Sequence, residues 1–117
     1  MIELNMIDLV SNKLSELGYK VQWQSRPKKF PSITFQFPLQ TGEEFSDDEE
    51  TVTKYILHVD IWSKNDYSEL TAQVKEKLKE IGFYRTMEMD DYEEETQIYH
   101  KILKFNYYED NESEDDI

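Results

Sequence analysis

The chain reads as an α+β domain: a two-layer sandwich with two helices on one face of a mostly antiparallel sheet of four to five strands, in the order α-β-β-β-α-β-β. Three observations predict it. Two segments place apolar residues at three- and four-residue steps, the mark of a helix with one buried stripe. Each is followed by a glycine and an aromatic residue, as in Leu17-Gly18-Tyr19 and Ile81-Gly82-Phe83. The other patterned segments alternate with period two, the mark of strands.

In the first helix Met6 or Ile7, Val10, Leu14 and Leu17 form the stripe, and Gly18 closes it. Tyr19, Val21 and Trp23 then alternate with Lys20 and Gln22 as a half-buried strand. Pro27 and Pro31 break the pattern, so residues 26–31 form a connection. The second strand sets Ile33, Phe35 and Phe37 against Thr34 and Gln36, and Pro38 limits it because proline donates no ladder hydrogen bond. Residues 40–51, with Gly42 and many acids, read as an exposed loop.

The strongest strand runs from Thr53 to Trp62, with Tyr55, Leu57, Val59 and Ile61 on one face and Ile56, His58, Asp60 and Trp62 on the other. Large groups on both faces predict a central strand. A second helix is expected from near Ser63, with Asp66 as a variant capping-box residue. Its stripe is Leu70, Val74, Leu78 and Ile81, and Gly82 ends it. A strand over 83–89, an acidic turn at 90–95 and a last strand from Gln97 to Tyr107 complete the fold. The last strand places Tyr99, Lys101, Leu103, Phe105 and Tyr107 opposite Ile98, His100 and Ile102. The expected division is a single domain over 1–108 and an acidic disordered tail over 109–117.

A chain of 117 residues has the size of one domain, and 38 % hydrophobic residues are enough for one modest core. Neither a membrane span of about 20 apolar residues nor a secretory leader is visible. There is no cysteine, hence no disulfide or thiolate metal site. Folding in a cytoplasm is the expectation.

The net charge is −13, and its placement is uneven. Eighteen of the 26 acids fall in the runs 43–50, 88–95 and 109–117, leaving a scaffold in which 13 cations outnumber the other acids. Such runs are ordinarily solvated loops and tails. Nonspecific nucleic-acid binding is disfavoured, because it rests on cations neutralising phosphates.

Chemistry finds little to work with. Two of the three glycines are spent on helix ends, so no phosphate loop is available. His58 and His100 both fall mid-strand, and His58 with Asp60 reads as a polar pair on one strand face. The acidic runs lack the glycine and closing glutamate of a calcium loop. The sequence therefore predicts no catalytic residue, cofactor or metal, and a protein that acts through contacts. The sheet face away from the helices, with Ile56, Trp62, Ile98 and Ile102, is too apolar to face only water and is the expected partner surface. The loop acids Glu43, Glu44, Asp47 and Asp48 are its expected charged companions.

His58-Val59-Asp60-Ile61-Trp62-Ser63-Lys64, then Ile81-Gly82-Phe83, and finally Tyr99-His100-Lys101-Ile102-Leu103-Lys104-Phe105 form a spaced series across the second half of the chain. The series resembles the tail completion, or tail terminator, proteins that join head and tail in long-tailed phages and prophages. Pro31 before the second strand fits the same pattern, and the resemblance spans about residues 4–108. It implies a non-enzymatic virion part at the head–tail junction or head-proximal end of the tail. Its implied partners are other tail or connector proteins and further copies in a homo-hexamer ring. DNA would pass through such a ring without being recognised, and no membrane is involved. The implied location is the host cytoplasm during assembly, then the virion. The alternative is a small acidic inhibitor of the DNA-mimic, anti-restriction type that binds a nuclease or DNA-binding protein. Against it, a mimic needs carboxylates on a rigid surface, whereas most acids here fall in expected loops and a tail.

Overall fold

The computed structural model describes residues 2–46 and 49–111. Its elements are α1 (Ile2–Ser15), β1 (Lys20–Trp23), β2 (Ser32–Ser46), β3 (Glu49–Ser63), α2 (Ser68–Glu80), β4 (Tyr84–Glu93) and β5 (Ile98–Asp110). The order is the α-β-β-β-α-β-β expected from periodicity, and the five strands form one sheet in the order β1-β2-β3-β5-β4. Every neighbouring pair is antiparallel except β1 with β2.

Both helices lie on one face. Met6, Val10 and Leu14 of α1 and Leu70, Val74 and Leu78 of α2 are buried in one core with Ile33 and Phe35 of β2, Tyr55, Leu57, Val59 and Ile61 of β3, and Leu103 and Phe105 of β5. The period-two and period-3.6 patterns thus meet at one interface, as a two-layer sandwich requires. Gly18 and Gly82 both take positive φ, +86° and +99°, and turn the chain from helix into the following strand segment. Around Phe37, Trp23, Phe35, Tyr55 and Phe83 lie with ring centroids within 6.4 Å, closing the core below α1.

The structure departs from the sequence reading in four places. Residues 40–51 are strand rather than loop: β2 and β3 run on as a long hairpin pairing Gln40 with Tyr55, Thr41 with Lys54 and Ser46 with Glu49. Pro38 is accommodated by a register shift between Gln36 and Leu39, and a second shift follows Gly42. β1 pairs only with Ser32–Phe35, so the outer edge of β2 beyond Phe35 has no strand neighbour among the described residues and tolerates the proline. Asp47 and Asp48 lie outside the described residues.

Helix α2 begins at Ser68, five residues beyond the expected start. Ser63 and Asp66 instead build the preceding turn. The Asn65 backbone N–H donates to Ser63 Oγ at 3.1 Å, and the Ser68 N–H and hydroxyl both donate to Asp66 Oδ1. Strand β4 runs through Glu93, which moves the turn to residues 94–97 and puts Asp90, Asp91 and Glu93 inside a strand. An edge strand carries such charge readily, since its outer side is wet. Lastly, Glu109 and Asp110, expected in the tail, pair with Thr53 and Val52 of β3. The rest of that tail, 112–117, lies outside the described residues.

The hairpin and the end of β5 extend the sheet past the helices. The helix layer reaches Gln40 and Tyr55, where Met6 and Ile7 line a small pocket with Trp23 and Phe37. Beyond that level β2 and β3 continue as a hairpin finger over the length of Glu49–Lys54, about 20 Å at strand rise, with β5 alongside as far as Val52. Asn111 ties the finger down: its N–H donates to the Thr51 carbonyl and its Nδ2 to Thr53 Oγ1, each at 2.8 Å. The molecule measures 53 × 24 × 21 Å in consequence.

Candidate functional site: the open sheet face

Strand register places side chains in rows across the face turned away from the helices. The first row is Ser32, Trp62, His100 and Asp91; the second is Thr34, Asp60, Ile102 and Met89. The third holds Gln36, His58, Lys104 and Met87; the fourth, Leu39, Ile56, Asn106 and Tyr84; the fifth, Thr41, Lys54 and Tyr108. Only the first rows are covered.

The cover is the connection from β1 to β2, residues 24–31, which must cross the sheet end because its two strands run parallel. Its Arg26 guanidinium lies 5.0 Å from the Trp62 ring centroid. The Trp62 ring also stacks on His100, with centroids 3.8 Å apart and planes 12° off parallel. Trp62 Nε1 donates to Thr34 Oγ1 at 2.9 Å, and His100 Nε2 lies 2.8 Å from Asp60 Oδ1. Arg26 is held in place by two hydrogen bonds to Glu93, at 2.6 and 3.2 Å, which raise its own pKa and hold the Glu93 carboxyl below its usual value. A shallow open groove of about 430 Å³ runs beside this cluster, lined by Gln24, Ser25, Arg26, Thr34, Gln36 and Asp60.

This cluster holds the connection to the sheet. Asp60 occupies one ring nitrogen of His100, Trp62 occupies a ring face, and the nearby Thr34 hydroxyl is engaged by the indole. His58 sits two rows from His100, opposite Lys104. Burial first, and then the Lys104 charge, push its pKa down. Among the described residues no group of three His, Cys, Asp or Glu side chains is placed to hold a metal ion, and no helix is long and apolar enough to cross a membrane.

The residues expected to form a partner surface divide accordingly. Ile56 and Ile102 are half-buried on the uncovered part of the face. Trp62 and Ile98 belong to the same face but are only 8 % and 5 % exposed, so they are packed residues rather than presented ones. Glu43 and Glu44 are exposed on the β2 strand of the finger. Asp47 and Asp48 lie outside the described residues.

The structure adds Leu39, Tyr84, Met89 and Tyr108, all exposed large side chains around Ile56 and Ile102, and the half-exposed Lys54 and Lys104. Lys104 was legible in the alternation of β5. Leu39 was not, because the bulge at Pro38 shifts its phase relative to Phe35 and Phe37.

No family model and no curated protein matches this chain.

Proposed function

We propose that this protein is a non-enzymatic assembly part of a long-tailed phage or prophage, acting at the head–tail junction or the head-proximal end of the tail. The observation that supports the reading is how the resembling segments pack. His58–Lys64 ends β3 and Tyr99–Phe105 lies in β5, its direct neighbour. Trp62 and Asp60, from the first segment, both fasten His100, from the second. Ile81-Gly82-Phe83 closes α2 and leads into β4, with Phe83 fully buried on the helix side. Motif residues far apart in the chain thus cooperate as one structural unit.

The uncovered sheet face, the projecting finger and the free outer edge of β2 are the kinds of surface by which a small subunit meets its neighbours. The reading gives this chain the role of joining preassembled parts.

The test is electron microscopy of particles made with this gene disrupted. The expected result is DNA-filled heads lying beside unattached tails, some of irregular length. Normal infectious virions would refute the proposal. Co-purification of the protein with a nuclease, lost steeply with salt, would then favour the inhibitor reading.

A further inference from the structure

The sheet has an edge that its own chain uses only in part. Strand β1 covers Ser32–Phe35 of β2 with four residues, running parallel. Gln24, at φ +48°, donates its N–H to the Phe35 carbonyl at 3.0 Å, and the chain then leaves the edge. Beyond Phe35 the outer side of β2 has no strand neighbour among the described residues. Between the register shifts at Pro38 and after Gly42 lies one regular window, Leu39–Gly42, which matches β1 in length. A short strand laid there would continue the line of β1.

A pocket opens beside this window. Met6 and Ile7 of α1, Trp23 at the end of β1, Phe37 and Gln40 of β2 and Tyr55 of β3 line a space of about 160 Å³. An apolar cavity of about 150 Å³ holds a benzene-sized group, so this one has room for a single leucine-sized side chain. In strand addition, backbone hydrogen bonds along an edge supply affinity, and pockets for alternate side chains supply specificity. A residue paired beside Gln40 has its side chain on the pocket's side of the sheet, and so has the residue two further on, beside Gly42. There the Glu50 carboxylate and the Phe45 ring stand within 2.7 Å of where a Cβ on Gly42 would lie. Exposed Glu43 and Glu44 continue the acidic fringe.

We infer that Leu39–Gly42 is a docking edge for an extended segment of another protein, which seats one apolar side chain in the pocket beside Gln40 and sets a lysine or arginine two residues away against Glu50. Two other occupants carry the wrong charge. Residues 112–117 of this chain are mostly acidic, and the β2 edge of a second copy bears the same glutamates. The inference goes beyond the assembly reading and does not depend on it, since it concerns a backbone edge and a pocket. Normal virions from the disrupted gene would leave it standing.

The experiment is fluorescence anisotropy of a fluorescein-labelled heptapeptide titrated with the full chain. The probe has leucine at its centre, a lysine two residues to either side, and threonine or valine elsewhere, a spacing that fits either strand direction. The expected result is saturable binding that weakens with salt. Changing the probe's leucine to alanine should weaken it about ten-fold or more, the worth of one buried leucine side chain. Gln40→Trp, which fills the pocket from an exposed position, should do the same. Glu43→Lys with Glu44→Lys should weaken binding. Glu94→Lys with Glu95→Lys, an equal charge change in the turn between β4 and β5, should leave it nearly unchanged. Far-UV circular dichroism checks that each variant is folded, and the probe's own alanine form decides the matter should one fail. Amide hydrogen exchange with the probe bound should show protection at residues 39–42 and none on β4, the strand at the far edge of the sheet. Failure to bind, indifference to the leucine, or protection confined to β4 overturns the inference. So does protection of 39–42 that appears without the probe as the protein is concentrated, because it assigns the edge to a second copy.

Discussion

Replacing Trp62 by alanine separates a packed role from a presented one. The side chain is 8 % exposed and stacks on His100, lies beneath Arg26, and donates to Thr34 Oγ1. Removing a buried aromatic of this size costs about 3–5 kcal/mol when neighbours relax only partly. The stack accounts for about 1 kcal/mol of such a loss. The guanidinium contact is discounted, because the Arg26 side chain is 54 % exposed. Thr34, 3 % exposed, would keep a buried hydroxyl without its indole partner, which pushes the cost towards the upper part of that range.

We expect a loss of about 4 kcal/mol from a domain whose total lies within about 5–15 kcal/mol. Urea unfolding followed by far-UV circular dichroism reads this as a midpoint lower by about 2 M at unchanged slope, taking a slope near the middle of the usual range. Trp62→Phe keeps a ring against His100 and gives up the donor, so about half the loss is expected. A Trp62→Ala protein within about 1 kcal/mol of wild type would refute the packing argument, and would mean that the connection 24–31 is not held on the sheet by this ring.

Three other outcomes follow from the same packing. Gly82→Ala should destabilise more than Gly18→Ala in thermal melts. Both positions have positive φ, at a cost of about 1–2 kcal/mol, but a Cβ at Gly82 would stand 2.9 Å from Tyr107 Cε1 while Gly18 has open space. Equal losses would show that the Tyr107 ring yields freely. Glu88→Gln should cost about 1 kcal/mol at neutral pH after discounting for screening, since Glu88 receives Lys75 at 2.7 Å and Arg85 and Lys101 at 3.0 Å. Hydrogen bonding from Lys75, and then from Lys101, holds the carboxyl below its usual value. Its contribution is therefore present above the unfolded value of 4.5 and fades as pH falls through the lower folded value; a difference between the two proteins that persisted at strongly acid pH would contradict this. His58 is depressed by burial and by Lys104, so the unfolded chain takes up its proton first. Stability should fall as pH drops below about 6.5, and His58→Gln should flatten that part of the profile measured by urea titration; an unchanged slope would remove His58 as the cause.

The legible parts of this fold are those where one face is dry. Val10 and Leu14, or Leu57 and Val59, declare their periods because their neighbours in the chain face a different medium. The finger could not be read that way. Glu43, Glu44, Phe45, Glu49 and Glu50 are all exposed, and two register shifts interrupt whatever alternation remains. Composition there indicated a solvated segment, which is right, and a loop, which is not. Ser63 misled for a different reason: its hydroxyl caps a turn at Asn65, the same local chemistry that caps helices. The site was half legible. Alternation assigned Ile56, Trp62, Ile98 and Ile102 to one face. That Trp62 is covered there depends on Arg26 and Glu93, which are 67 residues apart, a pairing no local pattern records.

The outer edge of β2 along the finger, which has no strand neighbour among the described residues, also bears on how this protein behaves in bulk. Unpaired strand edges invite further strands, and exposed Leu39 and Phe45 beside them add stickiness. The carboxylate fringe, together with the register shift at Pro38, opposes such edge-to-edge pairing. Near the isoelectric pH of about 4.4 that fringe loses much of its charge. Turbidity on acidification, reversible on return to neutral pH, is the colloidal signature to expect. Purification is accordingly best kept well above that pH.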